Sequence, residues 1–221
     1  LLYMDKVGRI KTVFYTTILG QSTDLAALRS ICDGHQAKLL LDNCESSLSF
    51  TEESYGNPVR HFCSAATSSA SFYFSHPVTT GTEGGMIFCD DCGEADWYRM
   101  MRNHGLTRGM PEQYRNKDAH PAFDFYLLGK NSRSSDLQAY MGSLAFKRAI
   151  KFGERRIELA REFYSALDKT RYVDVTMGNC TNPMMALPIV PSPTARSDDH
   201  IALTLDRLGI EHRPIVGGNL L

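Results

Sequence analysis

Residues 37–42 read AKLLLD, three consecutive leucines closed by an aspartate. A strand with one wet face alternates apolar and polar side chains. A run that is apolar at every position suits a strand covered on both faces, as in a parallel sheet wrapped by helices. The preceding sequence agrees. TVFYTTIL (12–19) is a β-rich apolar run, and DLAALRSICDGH (24–35) sets Leu25, Leu28, Ile31 and Cys32 at helical spacing behind Thr23 or Asp24 as N-cap. Strand, helix, strand in that order predicts two parallel strands joined by a right-handed crossover. The fold class is therefore α/β.

Further along, SASFYF (69–74) and GMIFCD (85–90) read as strands, and EADWYRMMRNHG (94–105) as a helix closed by Gly105. Residues 106–128 are polar, irregular and rich in His, Pro and Asn, and ordered loops of that length are often functional. Two helices are expected next, 134–150 with a serine cap and the charged, amphipathic 154–170. The character then changes to YVDVTM, MMALPIV, the helix DDHIALTLDRLG and IEHRPIV. That alternation starts a smaller unit. The expected boundary lies near residue 152, giving 1–152 as part of a large domain and 153–221 as a linker helix with part of a small one.

A chain of 221 residues makes one domain and a piece of another. Its apolar fraction of 43% is enough for a core, and its net charge of −1 offers no electrostatic case for nucleic acid or an anionic membrane. No apolar run approaches a membrane span, and the opening LLYMDKVGRIK lacks the regions of a signal peptide. Six cysteines in a chain this long are no disulfide framework. Cys89 and Cys92 form a CxxC without a second pair, which reads as a surface turn with free thiols and not as a metal site. A reducing, cytoplasmic setting is expected. Leu1 is no initiator and the ending IVGGNLL has no terminating element, so a fragment of a longer protein is expected.

Ligands of parallel sheets bind beyond the carboxyl ends of the strands. Asp42, after KLLL, and His76, after SFYFS, are read at such ends. A buried carboxylate there needs a cation or several N–H donors. Taken alone, Asp42 is as well explained as the cap of the NCESS turn, and His76 as a structural histidine. Ser71, Thr79, Thr80 and the glycine-rich loop offer hydroxyls and N–H groups to a phosphate. The plainer alternative is a hairpin connection with Gly84 and Gly85 at positive φ.

The ordered string is more specific than its parts. LLLDNCESS, SFYFSH, VTTGTEGGM, MRNHGLTR and LLGKNSRSSDLQAYMGSLAFKR follow one another over nearly the whole chain. This resembles the sugar aminotransferase family often called DegT/StrS, whose members are pyridoxal-phosphate enzymes with the aspartate aminotransferase type fold, fold type I. The resemblance implies a mostly parallel sheet in a large domain and a small α+β domain. It implies that Asp42 pairs with the cofactor's pyridine nitrogen, that Glu45 lies near the ring, and that Ser71 binds the phosphate. Asn131 is implied to reach the phosphate of a neighbouring subunit in a homodimer, and Arg133 to sit near the substrate or amino donor.

His76 stands where most members carry the lysine that binds the cofactor covalently. An imidazole cannot take that covalent role, but it moves protons near neutral pH. A histidine-bearing branch resembles the nucleotide-sugar 3-dehydratases, which act on a nucleotide-linked 4-keto-6-deoxy sugar with pyridoxamine 5′-phosphate, glutamate restoring the amine. His76 is then the acid–base residue. Three departures stand beside this: Pro77 after the histidine, Thr82 as a one-residue insertion, and Leu41 before Asp42. Cys89, Cys92 and Cys180 do not match the iron–sulfur subgroup, so no cluster is expected. The expected function is a 3-dehydratase. The alternatives are a transaminase using glutamate and a degenerate, non-catalytic member that binds cofactor or sugar nucleotide.

Overall fold

The computed structural model describes residues 10–21, 23–51, 65–173, 175, 180–181, 183–193 and 199–215. The opening LLYMDKVGR, parts of YVDVTM, the first aspartate of DDHIALTLDRLG and the closing VGGNLL lie outside the described residues, as does the Cys180 side chain.

A four-stranded sheet is ordered β1-β2-β4-β5, from β1 (Thr12–Thr16), β2 (Lys38–Asp42), β4 (Thr67–Ser71) and β5 (Gly85–Cys89). The first two pairings are parallel and β4–β5 is antiparallel, so the sheet is mostly parallel. Helix α1 (Leu25–Gly34) makes the crossover from β1 to β2. Its N-cap is Asp24, whose carboxylate accepts the Ala27 N–H at 2.9 Å. The all-apolar run of β2 divides between two faces. Leu39 and Leu41 are buried with Leu25, Cys32, Ala37 and Ala65, while Leu40 is half-buried. Fully burying a leucine contributes about 1.5–3 kcal/mol, so this small cluster fixes both the register of β2 and the seat of α1.

Helix α2 (Cys92–Met101) begins two residues earlier than its sequence suggests, because Asp91 caps it by accepting the Glu94 N–H. Glu94 then ties α2 to the amino edge of the sheet. It pairs with Lys38 at the start of β2 and accepts from Thr67 Oγ1 at 2.9 Å and from the Tyr98 hydroxyl at 2.7 Å. Burial alone raises the Glu94 carboxyl. The Lys38, Tyr98 and Thr67 donors outweigh it and hold the group below its ordinary 4.5. A depressed carboxyl contributes stability that is full above about 4.5 and lost as pH falls through the folded value. Glu94→Gln is therefore expected to cost about 1–2 kcal/mol near pH 7 and much less near pH 3, read by urea unfolding at both.

Three expectations are corrected. The SASFYF strand ends at Ser71, not at residue 74: Phe72 N–H closes on Gly84 C=O at 2.8 Å, and the chain then turns, with His76 N–H on Tyr73 C=O at 3.1 Å. His76 thus lies on the loop leaving the strand. The β4–β5 link is indeed a hairpin connection, but Gly81 has the positive φ (85°), and Gly84 and Gly85 do not. The two helices of 134–170 are one, α3 (Asp136–Ala166), running unbroken through residue 152. Gly153, in the gap expected between the two helices, is buried inside α3, where a Cβ would make ordinary contact with the Pro183 ring at 3.4 Å.

Strand β3 (Phe50–Thr51) pairs with β7 (Cys180–Thr181), and β6 (Tyr172–Val173) with β8 (Val190–Pro191), all antiparallel; α4 (Asp199–Arg207) follows. Among the described residues no helix is long and apolar enough to cross a membrane.

Candidate active site

Parallel pairing brings the carboxyl ends of β1, β2 and β4 to one edge. Thr16 stands opposite Asp42, and Asp42 opposite Ser69, two residues before Ser71. Gly85 opens β5 beside Ser71. The loop 72–84 leaves from the same edge and carries His76. The strand order thus puts Asp42 and Ser71 at the edge from which the His76 loop leaves.

Asp42 is half-buried. Its backbone carbonyl accepts the Thr17 N–H at 3.0 Å, and its Oδ1 accepts the Cys44 N–H at 3.2 Å and Ser69 Oγ at 3.4 Å. Among the described residues no donor reaches Oδ2 and no cation pairs with the carboxylate. One oxygen is fixed and the other is open. Cys44 adds no charge here: burial first, then the hydrogen bond to Asp42, push its thiol up to about 11. Ser69 was not singled out in the sequence; only the register of β2 with β4 reveals it.

Glu45 has one oxygen engaged. Its Oε2 accepts the Leu19 N–H at 2.6 Å, bracing a left-handed backbone at Leu19 (φ 54°). Ser71 Oγ accepts the Tyr73 N–H at 3.2 Å, which leaves its hydroxyl proton to give. His76 lies edge-on to the Tyr73 ring with centroids 5.7 Å apart, and its Nδ1 is buried without a hydrogen-bond partner among the described residues. A buried, unsatisfied ring nitrogen is costly, and groups left so in a native fold call for a functional or ligand-based reason.

Thr80 is the buried latch of the loop. Its hydroxyl reaches Glu83 C=O at 2.7 Å and its N–H reaches Phe72 C=O at 3.0 Å. The inserted Thr82 sits on the exposed side. Asn131 and Arg133 are exposed, and Arg133 Nε donates to Asn131 Oδ1 at 3.1 Å. Their segment is pinned to the end of α2 by Lys130 N–H on Met101 C=O and Ser132 N–H on Arg102 C=O. No hydrogen bond or ion pair among the described residues joins either to Asp42, Ser71 or His76.

The sequence profile of the DegT/DnrJ/EryC1/StrS aminotransferase family matches residues 7–217. The chain belongs to this family. Among curated relatives, GDP-4-keto-6-deoxy-D-mannose 3-dehydratase of Yersinia pseudotuberculosis is 28% identical over 222 residues, covering 96% of this chain and 54% of the relative. GDP-perosamine synthase of Vibrio cholerae is 25% identical over 159 residues, covering 72% of this chain and 39% of the relative. Among solved structures, the E. coli GDP-4-keto-6-deoxy-D-mannose-3-dehydratase with bound hydrated PLP superposes with a TM-score of 0.82 at 25% identity. That match covers 95% of this chain and 54% of the other. The chain thus spans about half the length of the dehydratases it matches, and the fold is that of the fold type I enzymes.

Proposed function

We propose that the protein containing this chain is a pyridoxamine/pyridoxal 5′-phosphate enzyme that removes the 3-hydroxyl of a nucleotide-linked 4-keto-6-deoxy sugar, with glutamate restoring the amine. The observation that carries this is His76. The motif resemblance puts it where the family carries its lysine, and it lies on the loop at the Asp42 edge with Nδ1 buried and without a hydrogen-bond partner among the described residues.

The residues present fit the cofactor. Asp42 keeps Oδ2 open for a protonated ring nitrogen, and Ser71 keeps a hydroxyl proton for a phosphate oxygen. When bound, the cofactor supplies an electron sink. Asp42 would hold the ring-nitrogen proton, Ser71 would anchor the phosphate, and the His76 imidazole would carry a proton to and from the reacting centre, assisting departure of the 3-hydroxyl as water. Glu45 acts from behind, holding Leu19 beside the carboxyl edge of β1.

In this reading Asn131 and Arg133 serve a second copy, in a homodimer. Their exposure supports it, as do the uncovered apolar side chains in the flanking sequence: Leu128 is 96% exposed, and Leu137 and Tyr140 are also exposed. The full-length protein is expected to sediment at twice the protomer mass, and an active monomer would overturn this part. The division at residue 152 belongs to the same proposal, with β6 and β8 pairing only with each other among the described residues.

The deciding experiment is the cofactor spectrum of the full-length protein before and after borohydride, with mass analysis of the product from a 4-keto-6-deoxy nucleotide sugar and glutamate. Cofactor that stays unattached, with a product lacking the 3-hydroxyl, supports dehydration. A product that retains the 3-hydroxyl and gains an amine supports the transaminase, which the likeness to GDP-perosamine synthase favours. Absence of cofactor would leave the degenerate, binding-only member.

A further inference from the structure

Gln138 is the third residue of α3 and does two things at once. Its Oε1 accepts the Ser135 N–H at 2.8 Å while its own N–H donates to Ser135 Oγ at 3.2 Å, a reciprocal capping box. Its Nε2 reaches across to the His76 loop, donating to Glu83 C=O at 2.8 Å and lying 3.5 Å from Thr82 Oγ1. The same carbonyl of Glu83 takes the Thr80 hydroxyl at 2.7 Å. Thr80 also rests against α3 one turn on, where a Cβ at Gly142 would stand 3.2 Å from its methyl. The loop closes through Phe72 N–H on Gly84 C=O and Thr80 N–H on Phe72 C=O. His76 therefore sits in a loop whose far limb is held by the first turns of α3.

We infer that Gln138 is a positioning residue. Through Glu83 it fixes the loop that carries His76, and its amide spans the insertion at Thr82 while its carbonyl caps the helix. The inference deepens the proposed function and rests on it for the catalytic consequence only. The structural half stands on this chain's own contacts.

Two substitutions separate the duties. Gln138→Glu keeps an acceptor for the Ser135 N–H, and a carboxylate suits a helix N-terminus, so α3 keeps its cap. It has no donor for Glu83 C=O, so the strap is lost. Gln138→Lys has the reverse chemistry, with a donor long enough for the loop and no acceptor for the cap. The probe is amide hydrogen exchange of the full-length protein, read at Phe72 and Thr80 for the loop and at Ser135 for the cap. Gln138→Glu is expected to speed exchange at Phe72 and Thr80 about fivefold to tenfold with Ser135 unchanged, the loss of one neutral hydrogen bond. Gln138→Lys is expected to speed Ser135 and spare the loop.

Where the wild type dehydrates, Gln138→Glu should lower kcat about tenfold and leave the KM for glutamate within about twofold. Unchanged exchange at Phe72 and Thr80 in Gln138→Glu, or equal loosening of loop and cap in both variants, overturns the inference. A wild type that does not dehydrate overturns the functional reading alone, and the exchange pattern still decides the role of Gln138.

Discussion

His76→Asn in the full-length protein is expected to lower the dehydration rate by about 10²–10⁴, the usual cost of losing a general acid–base group. Cofactor binding should persist, because Asp42 and Ser71 lie outside the substituted loop position and keep their own partners. Asparagine is smaller than histidine, and its amide can form hydrogen bonds but is neither acid nor base enough to serve as a general acid–base group near neutral pH. The measurement is single-turnover product formation beside a titration of the cofactor absorbance. Unchanged turnover would exclude His76 from proton transfer. A parallel loss of cofactor would recast it as a binding residue. His76→Lys tests the converse, by restoring the residue type most of the family uses. Amine-bearing product from that variant would show that the loop accepts the covalent role beside Pro77.

Gly105→Ala is expected to destabilise the protein by about 3–5 kcal/mol, seen as a shifted urea midpoint with unchanged slope. Gly105 follows α2 at φ 85°, where its N–H reaches back to Met100 C=O at 2.8 Å. A Cβ there would stand 1.7 Å from the Leu127 carbonyl oxygen, and one at Gly129 would stand 2.2 Å from the Gly105 nitrogen. Two backbone segments thus cross at the neck of the 106–128 excursion, and neither has room to shift. A left-handed alanine costs about 1–3 kcal/mol by itself, and the clash adds to it. Inside the excursion, buried Asp124 accepts the Thr107 hydroxyl at 2.8 Å and the Asn116 N–H at 2.9 Å. The loop therefore keeps its shape, and damage to its neck is expected to misplace Asn131 and Arg133. A fall of less than about 1 kcal/mol would show that the crossing relaxes easily.

Local pattern was enough to read the first crossover. An all-apolar KLLL run and the spacing of Leu25, Leu28, Ile31 and Cys32 leave few ways to bury those side chains, and parallel pairing is the one observed. The caps were legible for the same reason, since Asp24 and Ser135 satisfy N–H groups within three residues. The order of the site motifs was also legible, because Asp42, Ser71 and His76 depend on short strand-to-loop junctions.

What lay beyond reach depends on partners distant in the chain. Phe72–Phe74 reads as strand, yet Gly84 and Thr80 capture Phe72 and turn the chain away. Residues 151–153 read as a gap between two helices, yet α3 runs through them without a break. Ser69 joins Asp42 only through the β2–β4 register, and one oxygen of Glu45 is taken by the distant Leu19 N–H. Sequence determined which residues are chemically able to hold a cofactor and move a proton. Tertiary structure decided which of their atoms remain open to do so, because a hydrogen bond taken by a distant backbone group removes an acceptor that no local pattern shows to be in use.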